Sequence, residues 1–257
     1  LKTNFYKNIE RNLAKKSTKI IAISEIQKKE LSEIHNICSP KKIEVIPLGF
    51  DLEKFKTNKD VKRKEFRNKW NINNNEIAIG IIGRLVSIKN HQFFIDSIQQ
   101  ILKKAEVPIR AFIVGDGEEK ENLFKYLNLK KLDFTQDSKR ATFQFTSWIE
   151  EIDEVNAGMD IICLCSLNEG TPVSLIEAQA SGTPIVSTKT GGIENIVIDN
   201  KSALLSENND LNSFSNNLLS LINNPSKREF LSRHGEVKSK EFHYSNLITN
   251  IKKLYKF

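Results

Sequence analysis

Short apolar runs rich in Ile, Val and Phe alternate along the chain with longer stretches in which apolar residues recur every three or four positions. The short runs predict buried strands and the longer stretches predict helices. Strands are predicted at 19–23, 43–46, 77–82, 109–114, 141–145, 160–164, 184–187 and 203–205. Helices are predicted at 2–16, after Ser24, and at 60–70, 90–104, 117–128, 150–156, 172–181, 210–223, 226–241 and 244–255. This alternation predicts an α/β fold with a parallel sheet covered by helices on both faces.

Polar and glycine-rich segments follow the strands of the predicted sheet. They occupy residues 83–89, 115–118, 146–148, 166–172 and 188–192. Because ligands of such sheets bind beyond the carboxyl ends of the strands, we expect this edge to form the functional site.

Composition excludes several classes of protein. The chain has 257 residues, of which 39% are hydrophobic and 28% charged, and it contains three cysteines. These shares are typical of a globular protein and exclude a collagen, a coiled coil and a disulfide-rich scaffold. The odd number of cysteines favours a reducing compartment. Residue 1 is Leu and the only methionine is Met159, so we expect a fragment of a longer chain.

The net charge of +7 is unevenly distributed. Residues 1–70 contain 18 Lys and Arg against 9 Asp and Glu, whereas the rest of the chain is slightly acidic. A basic N-terminal part suits an anionic lipid surface or a nucleic acid. The alternative is a solvated surface in a chain that is generally rich in Lys, Asn and Ile.

Residues 115–120 begin like a dinucleotide-binding fingerprint but depart from it. Lys120 stands where the third glycine is required, and three carboxylates precede the helix at the position of a pyrophosphate. We interpret the segment as a tight turn whose acids, Asp116 among them, complement the helix dipole. This disfavours hydride transfer from a dinucleotide.

The segment 169–177 carries the strongest local indication of a ligand site. Thr171 is predicted as the helix N-cap and Pro172 as the first helical residue, while Gly170 allows a ligand to approach the backbone. The free N–H groups of the first turn can hold a phosphate. Glu169 and Glu177 would flank that anion and accept hydrogen bonds from sugar hydroxyls. A capped surface helix with two solvated acids is the alternative.

Two cations, Arg84 and Lys89, share the loop after the strand at 77–82 and could clamp two phosphates. Two ordinary surface cations are the alternative. The chain has no Asp-x-Asp pair, so these cations and a helix N-terminus are predicted to replace a metal. Cys163 and Cys165 are predicted to be buried apolar residues of a strand.

Taken in order, these segments resemble the retaining nucleotide-sugar glycosyltransferases of family 4. The resemblance covers residues 18–205. It is carried by Ile-Pro-Leu-Gly-Phe-Asp (46–51), Gly-Arg-Leu (83–85), Lys-Asn-His (89–91), Val-Gly-Asp-Gly (114–117), Phe-Thr-Ser-Trp (145–148), Glu-Gly-Thr-Pro (169–172), Glu-Ala (177–178), Ser-Gly-Thr-Pro-Ile-Val (181–186) and Gly-Gly (191–192). It implies a GT-B fold, in which two Rossmann-like domains face a cleft, with the N-terminal domain incomplete here.

The resemblance also implies roles for individual residues. Arg84 and Lys89 hold the diphosphate and stabilise the charge that develops on it. Glu177 binds the ribose, and the backbone of 146–148 contacts the base. Glu169, with the backbone of 170–173, holds the donor sugar and the distal phosphate. The predicted catalytic residues are Arg84, Lys89 and Glu169, and the predicted donor-binding residues are Gly83, Arg84, Lys89, Thr146, Ser147, Trp148, Glu169, Gly170, Thr171, Pro172, Val173 and Glu177.

We therefore expect transfer of a sugar from a nucleotide-diphosphate donor, with UDP the commonest in such relatives, to a glycan or lipid-linked acceptor. Configuration is expected to be retained, and neither a metal nor another cofactor is expected to be required. The expected location is the cytoplasm, at the cytoplasmic face of the inner membrane, in polysaccharide, lipopolysaccharide or capsule synthesis, without a nucleic-acid partner. A non-catalytic nucleotide-sugar-binding module and a UDP-sugar epimerase remain alternatives.

Three regions are expected. Residues 1–52 are the end of the N-terminal acceptor domain and a linker, 53–240 are the nucleotide-sugar-binding domain, and 241–257 are a helix that crosses back. Because most of the acceptor domain is expected to lie outside this chain, we expect donor binding with little turnover.

Overall fold

The computed structural model describes residues 2–255, which form two compact units. One unit comprises the residues up to Asp51 and those from Glu241 onward, and the other is Leu52–Lys240. The assignment of these units to an acceptor domain and a donor domain stays a prediction.

The secondary structure follows the alternating pattern of the sequence. The strands are β1 (Ile20–Ala22), β2 (Ile43–Val45), β3 (Ile77–Ile82), β4 (Ile109–Val114), β5 (Phe134–Thr135), β6 (Phe143–Ser147), β7 (Ile161–Leu164), β8 (Ile185–Thr188) and β9 (Leu204–Ser206). The helices are α1 (Lys2–Lys16), α2 (Glu25–Lys29), α3 (Glu53–Lys56), α4 (Lys59–Lys69), α5 (His91–Ile101), α6 (Lys120–Leu129), α7 (Ile152–Gly158), α8 (Val173–Ser181), α9 (Ile193–Ile196), α10 (Leu211–Ile222), α11 (Pro225–Ser239) and α12 (Tyr244–Tyr255).

The smaller unit contains the parallel pair β1 and β2, with Ile20 opposite Ile43. Ser24 caps α2, because its side chain accepts a hydrogen bond from the Gln27 backbone N–H at 3.1 Å. This confirms the predicted cap. A π-helical turn, Glu30–Ile34, continues α2.

The larger unit is built on a seven-stranded parallel sheet in the order β5-β6-β4-β3-β7-β8-β9. β3 is apolar throughout, β4 is apolar except for the buried Arg110, and both strands lie at the centre of the sheet, where burial on both faces is expected. Helices flank the sheet, with α5 beside α10, α8 beside α11 and α4 beside α7. The strand order reverses at β3, because β4 and β6 lie on one side of it and β7, β8 and β9 on the other. The α/β fold with a parallel, helix-covered sheet is therefore confirmed.

Several predicted boundaries are corrected by the structure. The helix predicted at 117–128 begins at Lys120. The helix predicted from Pro172 begins at Val173, and Pro172 is its N-cap with ψ of 97°, which is not helical. Thr171 is therefore not the N-cap, and Pro172 is not the first helical residue. The elements β5, α3 and α9 were not predicted, because two to four residues are too few to show a periodic pattern.

Candidate functional site

The loops after β3, β4 and β6 are tied together by backbone hydrogen bonds at the carboxyl edge of the sheet. Gly83 N donates to Val114 O at 3.0 Å, and Gly115 N donates to Ser147 O at 3.0 Å. Gly115 has a φ of 137°, and a Cβ at this position would collide with the carbonyl oxygen of Gly83. The glycine thus allows the first two loops to touch.

A second set of contacts joins the loops after β3, β7 and β8. Leu167 N donates to Ile88 O at 2.8 Å, and Gly192 N donates to Glu169 O at 3.0 Å. Gly191 has a φ of 52°, and a Cβ there would collide with the Glu169 carbonyl oxygen. The Gly-Gly pair therefore holds the backbone of Glu169 in place. The predicted gathering of these segments at one edge of the sheet is confirmed.

Lys89 and Glu169 form an ion pair across the point where the strand order reverses, between β3 and β7. The Lys89 Nζ lies 2.5 Å from Glu169 Oε1, and the Ser166 hydroxyl donates to the same oxygen at 2.6 Å. The side chains of Lys89 and Glu169 are only 24% and 11% exposed, so water screens the pair weakly. Lys89 is thus joined to the predicted sugar-binding acid, and its role in holding a phosphate stays a prediction. Ser166 was not predicted; its place directly after β7 was the available signal.

Arg84 and the start of α8 are the parts of this edge that remain open to an anion. Arg84 is exposed, and its guanidinium makes no hydrogen bond or ion pair within residues 2–255. No side chain caps α8, which begins at Val173, so its first N–H groups can donate hydrogen bonds to an anion. A Cβ added at Gly170 would meet no atom within 4 Å, so a ligand can approach this backbone. That these residues hold a phosphate stays a prediction.

Glu177 lies one turn into α8 with a half-buried carboxyl group. Burial raises the pKa of Glu177 to about 7, the charge of Lys54 opposes the rise, and Asp153 adds to it. Within the described part of the chain, the Glu177 carboxyl has no hydrogen-bond partner. It is therefore available to accept hydrogen bonds from vicinal hydroxyls.

The segment 146–148 is held by an acid from the loop after β4. Ser147 has a φ of 57°, and its hydroxyl donates to Asp116 Oδ2 at 2.7 Å. Asp116 also accepts from Gly117 N at 2.8 Å and from Lys120 Nζ at 2.9 Å. Besides the predicted interaction with the helix dipole, which stays a prediction, the carboxylate of Asp116 thus binds across to the next loop. Trp148 is 59% exposed beside it.

Buried nucleophiles and imidazoles near the sheet have no evident part in this site. Burial raises the pKa of the Cys163 and Cys165 thiols, and both side chains are fully enclosed, which confirms the prediction for them. Burial lowers the pKa of His91 to about 4, and neither ring nitrogen has a hydrogen-bond partner in the part of the chain described. His91 lines a cavity of about 140 Å³ with Glu119, Leu123 and residues of the loop after β3.

No cluster of three or more His, Cys, Asp and Glu side chains suited to a metal ion occurs within residues 2–255. Over the same residues, no helix is both long enough and apolar enough to cross a bilayer. The absence of a metal requirement stays a prediction.

The strand order, together with the polar and charged residues at the carboxyl edge of the sheet, indicates the class of protein to which the chain belongs. The sequence model of the family described as Glycosyl transferases group 1 matches residues 62–238, which are more than half of the chain. The chain belongs to this family.

Curated relatives agree with this class. The chain is 32% identical over 222 residues to a UDP-Gal:alpha-D-GlcNAc-diphosphoundecaprenol alpha-1,3-galactosyltransferase of Escherichia coli, covering 83% of this chain and 54% of the relative. It is 26% identical over 217 residues to a D-inositol 3-phosphate glycosyltransferase of Corynebacterium urealyticum, covering 84% of this chain and 51% of the relative. The chain thus spans about half the length of these relatives.

Solved structures show the same fold. Anabaena HepE in complex with UDP superposes with a TM-score of 0.84 at 20% identity, covering 97% of this chain and 67% of HepE. The C-terminal domain of the group 1 protein LpcC from Francisella tularensis has a TM-score of 0.62 at 23% identity, covering 75% of this chain and 97% of that domain. The fold is therefore of the GT-B type, with a Rossmann-like parallel sheet.

Proposed function

We propose that this chain binds the donor of a glycosyltransferase that moves a sugar from a nucleotide diphosphate to a glycan or lipid-linked acceptor. One observation carries the proposal: exposed Arg84, the uncapped start of α8 and the Lys89–Glu169 pair meet where the strand order reverses. Ligands of parallel sheets bind at this point.

The diphosphate is the part of the donor that these cations suit. Arg84 offers a planar fork of donors, and the first N–H groups of α8 offer a second anion-binding surface. When the bond to the sugar breaks, negative charge grows on the diphosphate, and preorganised donors lower the barrier by stabilising it. Lys89, beside Glu169, helps to stabilise the same negative charge on the diphosphate. No metal or other cofactor is required in this mechanism.

Hydroxyl groups of the donor suit the two acids. Glu169 Oε1 already accepts two hydrogen bonds, from Lys89 and Ser166, which leaves Oε2 to accept from the donor sugar. Glu177 accepts from the ribose, and the backbone of 146–148 contacts the base. We propose that the configuration at the transferred carbon is retained, as in family 4.

UDP is the donor nucleotide that the comparisons favour. HepE was solved with UDP, and the name of the E. coli relative gives UDP-Gal as its donor. The same name gives a diphosphoundecaprenol-linked acceptor, which supports a lipid-linked acceptor for this chain. As part of the proposal, the reaction takes place at the cytoplasmic face of the inner membrane. The basic residues of 1–70 suit such an anionic surface. We propose a role in polysaccharide, lipopolysaccharide or capsule synthesis.

Calorimetric titration of this chain with UDP, GDP and ADP tests the proposal, with Arg84→Ala as the variant. We expect UDP to bind most tightly and Arg84→Ala to weaken every nucleotide diphosphate. Equal affinity in the two proteins would remove Arg84 from the phosphate site, and no binding of any nucleotide would overturn the proposal. Turnover at the rate of a full-length relative would contradict the expectation that this chain binds without efficient catalysis.

A further inference from the structure

Ser147 stands in a backbone conformation that needs outside support. Its φ of 57° lies in the left-handed region, which is unfavourable for a residue with a Cβ. Ser147 also lies at the centre of the segment 146–148, whose backbone is proposed to contact the nucleobase. What holds Ser147 therefore decides where the N–H and C=O groups of this segment point.

Two hydrogen bonds attach Ser147 to the turn after β4. Gly115 N donates to the Ser147 carbonyl oxygen at 3.0 Å, and the Ser147 hydroxyl donates to Asp116 Oδ2 at 2.7 Å. The first bond uses backbone atoms only and survives any side-chain change. The second depends wholly on the carboxylate of Asp116.

The Asp116 carboxylate is itself held in one orientation. Gly117 N donates to Oδ1 at 2.8 Å, and Lys120 Nζ donates to Oδ2 at 2.9 Å. These hydrogen bonds, with that of Ser147 the largest contribution, lower the pKa of Asp116, so the group is ionised at neutral pH. The carboxylate is thus a fixed, charged acceptor for the Ser147 hydroxyl.

Within residues 2–255, the Asp116 carboxylate binds only side chains and backbone groups on the side of the site that is proposed to hold the nucleobase. None of its side-chain bonds goes to Arg84, Lys89 or α8, which form the proposed phosphate side. The link from Asp116 to the loop after β3 is a backbone one, from Leu85 N to Asp116 O at 2.9 Å. A change of the side chain therefore disturbs one side of the site and leaves the other intact.

We propose that Asp116 is a positioning residue that fixes the backbone of 146–148 through Ser147 and so sets the affinity for the nucleoside part of the donor. This inference rests on the proposed function, since it assigns the base to 146–148. It also gives the Gly-Asp-Gly sequence at 115–117 a role: the first glycine permits the close approach of two loops, and the acid between the glycines orients a third.

The test compares UDP with inorganic pyrophosphate, which carries the phosphates without the nucleoside. In Asp116→Ala we expect UDP affinity to fall by about tenfold, the loss typical of a hydrogen bond to a charged group, with pyrophosphate affinity unchanged. Lys120→Ala is the matched control, because it removes one partner of Asp116 and leaves the Ser147 bond; its UDP affinity is expected to stay near that of the wild type.

Glycine at position 147 provides the rescue. Glycine adopts a positive φ without support from a side chain, so Asp116→Ala with Ser147→Gly is expected to regain part of the UDP affinity lost in Asp116→Ala. If Asp116 only stabilised the fold, adding Ser147→Gly to Asp116→Ala would not restore UDP affinity. Melting temperatures of all variants are measured alongside.

The outcomes separate this inference from the proposed function. Parallel loss of UDP and pyrophosphate binding in Asp116→Ala, or unchanged UDP binding, would overturn the role of Asp116 while the wild type still bound UDP. A wild-type chain that bound neither UDP nor pyrophosphate would overturn the proposed function, and the inference with it.

Discussion

Replacing Glu177 by glutamine separates two effects of its half-buried carboxyl group: its cost to the fold and its proposed bond to the ribose. Burial raises the pKa of Glu177 from 4.5 to about 7. Since one pKa unit corresponds to 1.36 kcal/mol, ionised Glu177 costs the folded state at most about 3 kcal/mol, less what solvent screening removes. The amide of glutamine carries no such charge.

Proton linkage fixes the direction in which the stability of the fold changes with pH. Below pH 4.5 the group is protonated in both the folded and the unfolded chain, and the cost is absent. Between pH 4.5 and about 7 the unfolded chain loses the proton while the folded chain keeps it, so stability falls as pH rises. Above pH 7 the full cost is present. Glu177→Gln should therefore be more stable than the wild type at pH 8, and most of that gain should disappear at pH 5.

The affinity for UDP should rise with pH, whereas the stability of the fold falls with pH. Ribose hydroxyls donate to the carboxylate, so UDP binding favours the ionised form and weakens as pH falls through about 7. The limiting slope is about tenfold in affinity per pH unit. In Glu177→Gln we expect weaker binding that keeps only the pH dependence due to the terminal phosphate of UDP, whose second pKa is about 6.

Urea unfolding and UDP titration at pH 5 and pH 8 measure both effects. The matched control is Glu65→Gln on the exposed side of α4, which should alter neither the stability of the fold nor the affinity for UDP. Equal stability of wild type and Glu177→Gln at pH 8 would refute the burial argument. If UDP affinity changes with pH no more in the wild type than in Glu177→Gln, the contact between Glu177 and the ribose is refuted.

Three further predictions concern the phosphate side of the site. Arg84→Ala, at an exposed position, should weaken UDP binding by about 1.5–3 kcal/mol with an unchanged melting temperature, and a lower melting temperature would argue for a structural role. Lys89→Ala leaves the Glu169 carboxylate without its cationic partner, so thermal unfolding should show destabilisation in addition to weaker UDP binding, and removal of both the Lys89 and the Glu169 side chains should restore part of the stability. Gly191→Ala, at a positive φ and against the Glu169 carbonyl, should destabilise the chain in a urea titration, whereas Gly170→Ala meets open space and should fold normally; equal stabilities would contradict the close approach.

The central strands were predictable because their pattern is local. β3 and β4 match the predicted ranges 77–82 and 109–114 residue for residue, since each is a short run rich in apolar residues, interrupted in β4 only by Arg110. The segments that follow the strands were also predictable, and the parallel sheet then required them to share one edge. The start of α8 was not predictable, because the sequence at Thr171 and Pro172 is compatible with either of two starting points.

Pairings between distant residues could not be predicted. Lys89 and Glu169 are 80 residues apart, and Asp116 and Ser147 are 31 apart. Each of these side chains is polar and has several possible partners in water, so nothing in the local sequence favours one. The pairing depends on which loops the strand order makes neighbours.

The sequence by itself determined the class of fold, the edge of the sheet that carries the site and the residue types suited to a diphosphate and to hydroxyl groups. Local periodicity and glycine placement carry that information. Only the tertiary structure decided that Lys89 shares one oxygen of Glu169 with Ser166, that Asp116 supports Ser147 and that the Glu177 carboxyl is half-buried. The physical reason is that partners and burial are set by packing between elements, and the strength of a charge depends on how much water that packing leaves around it.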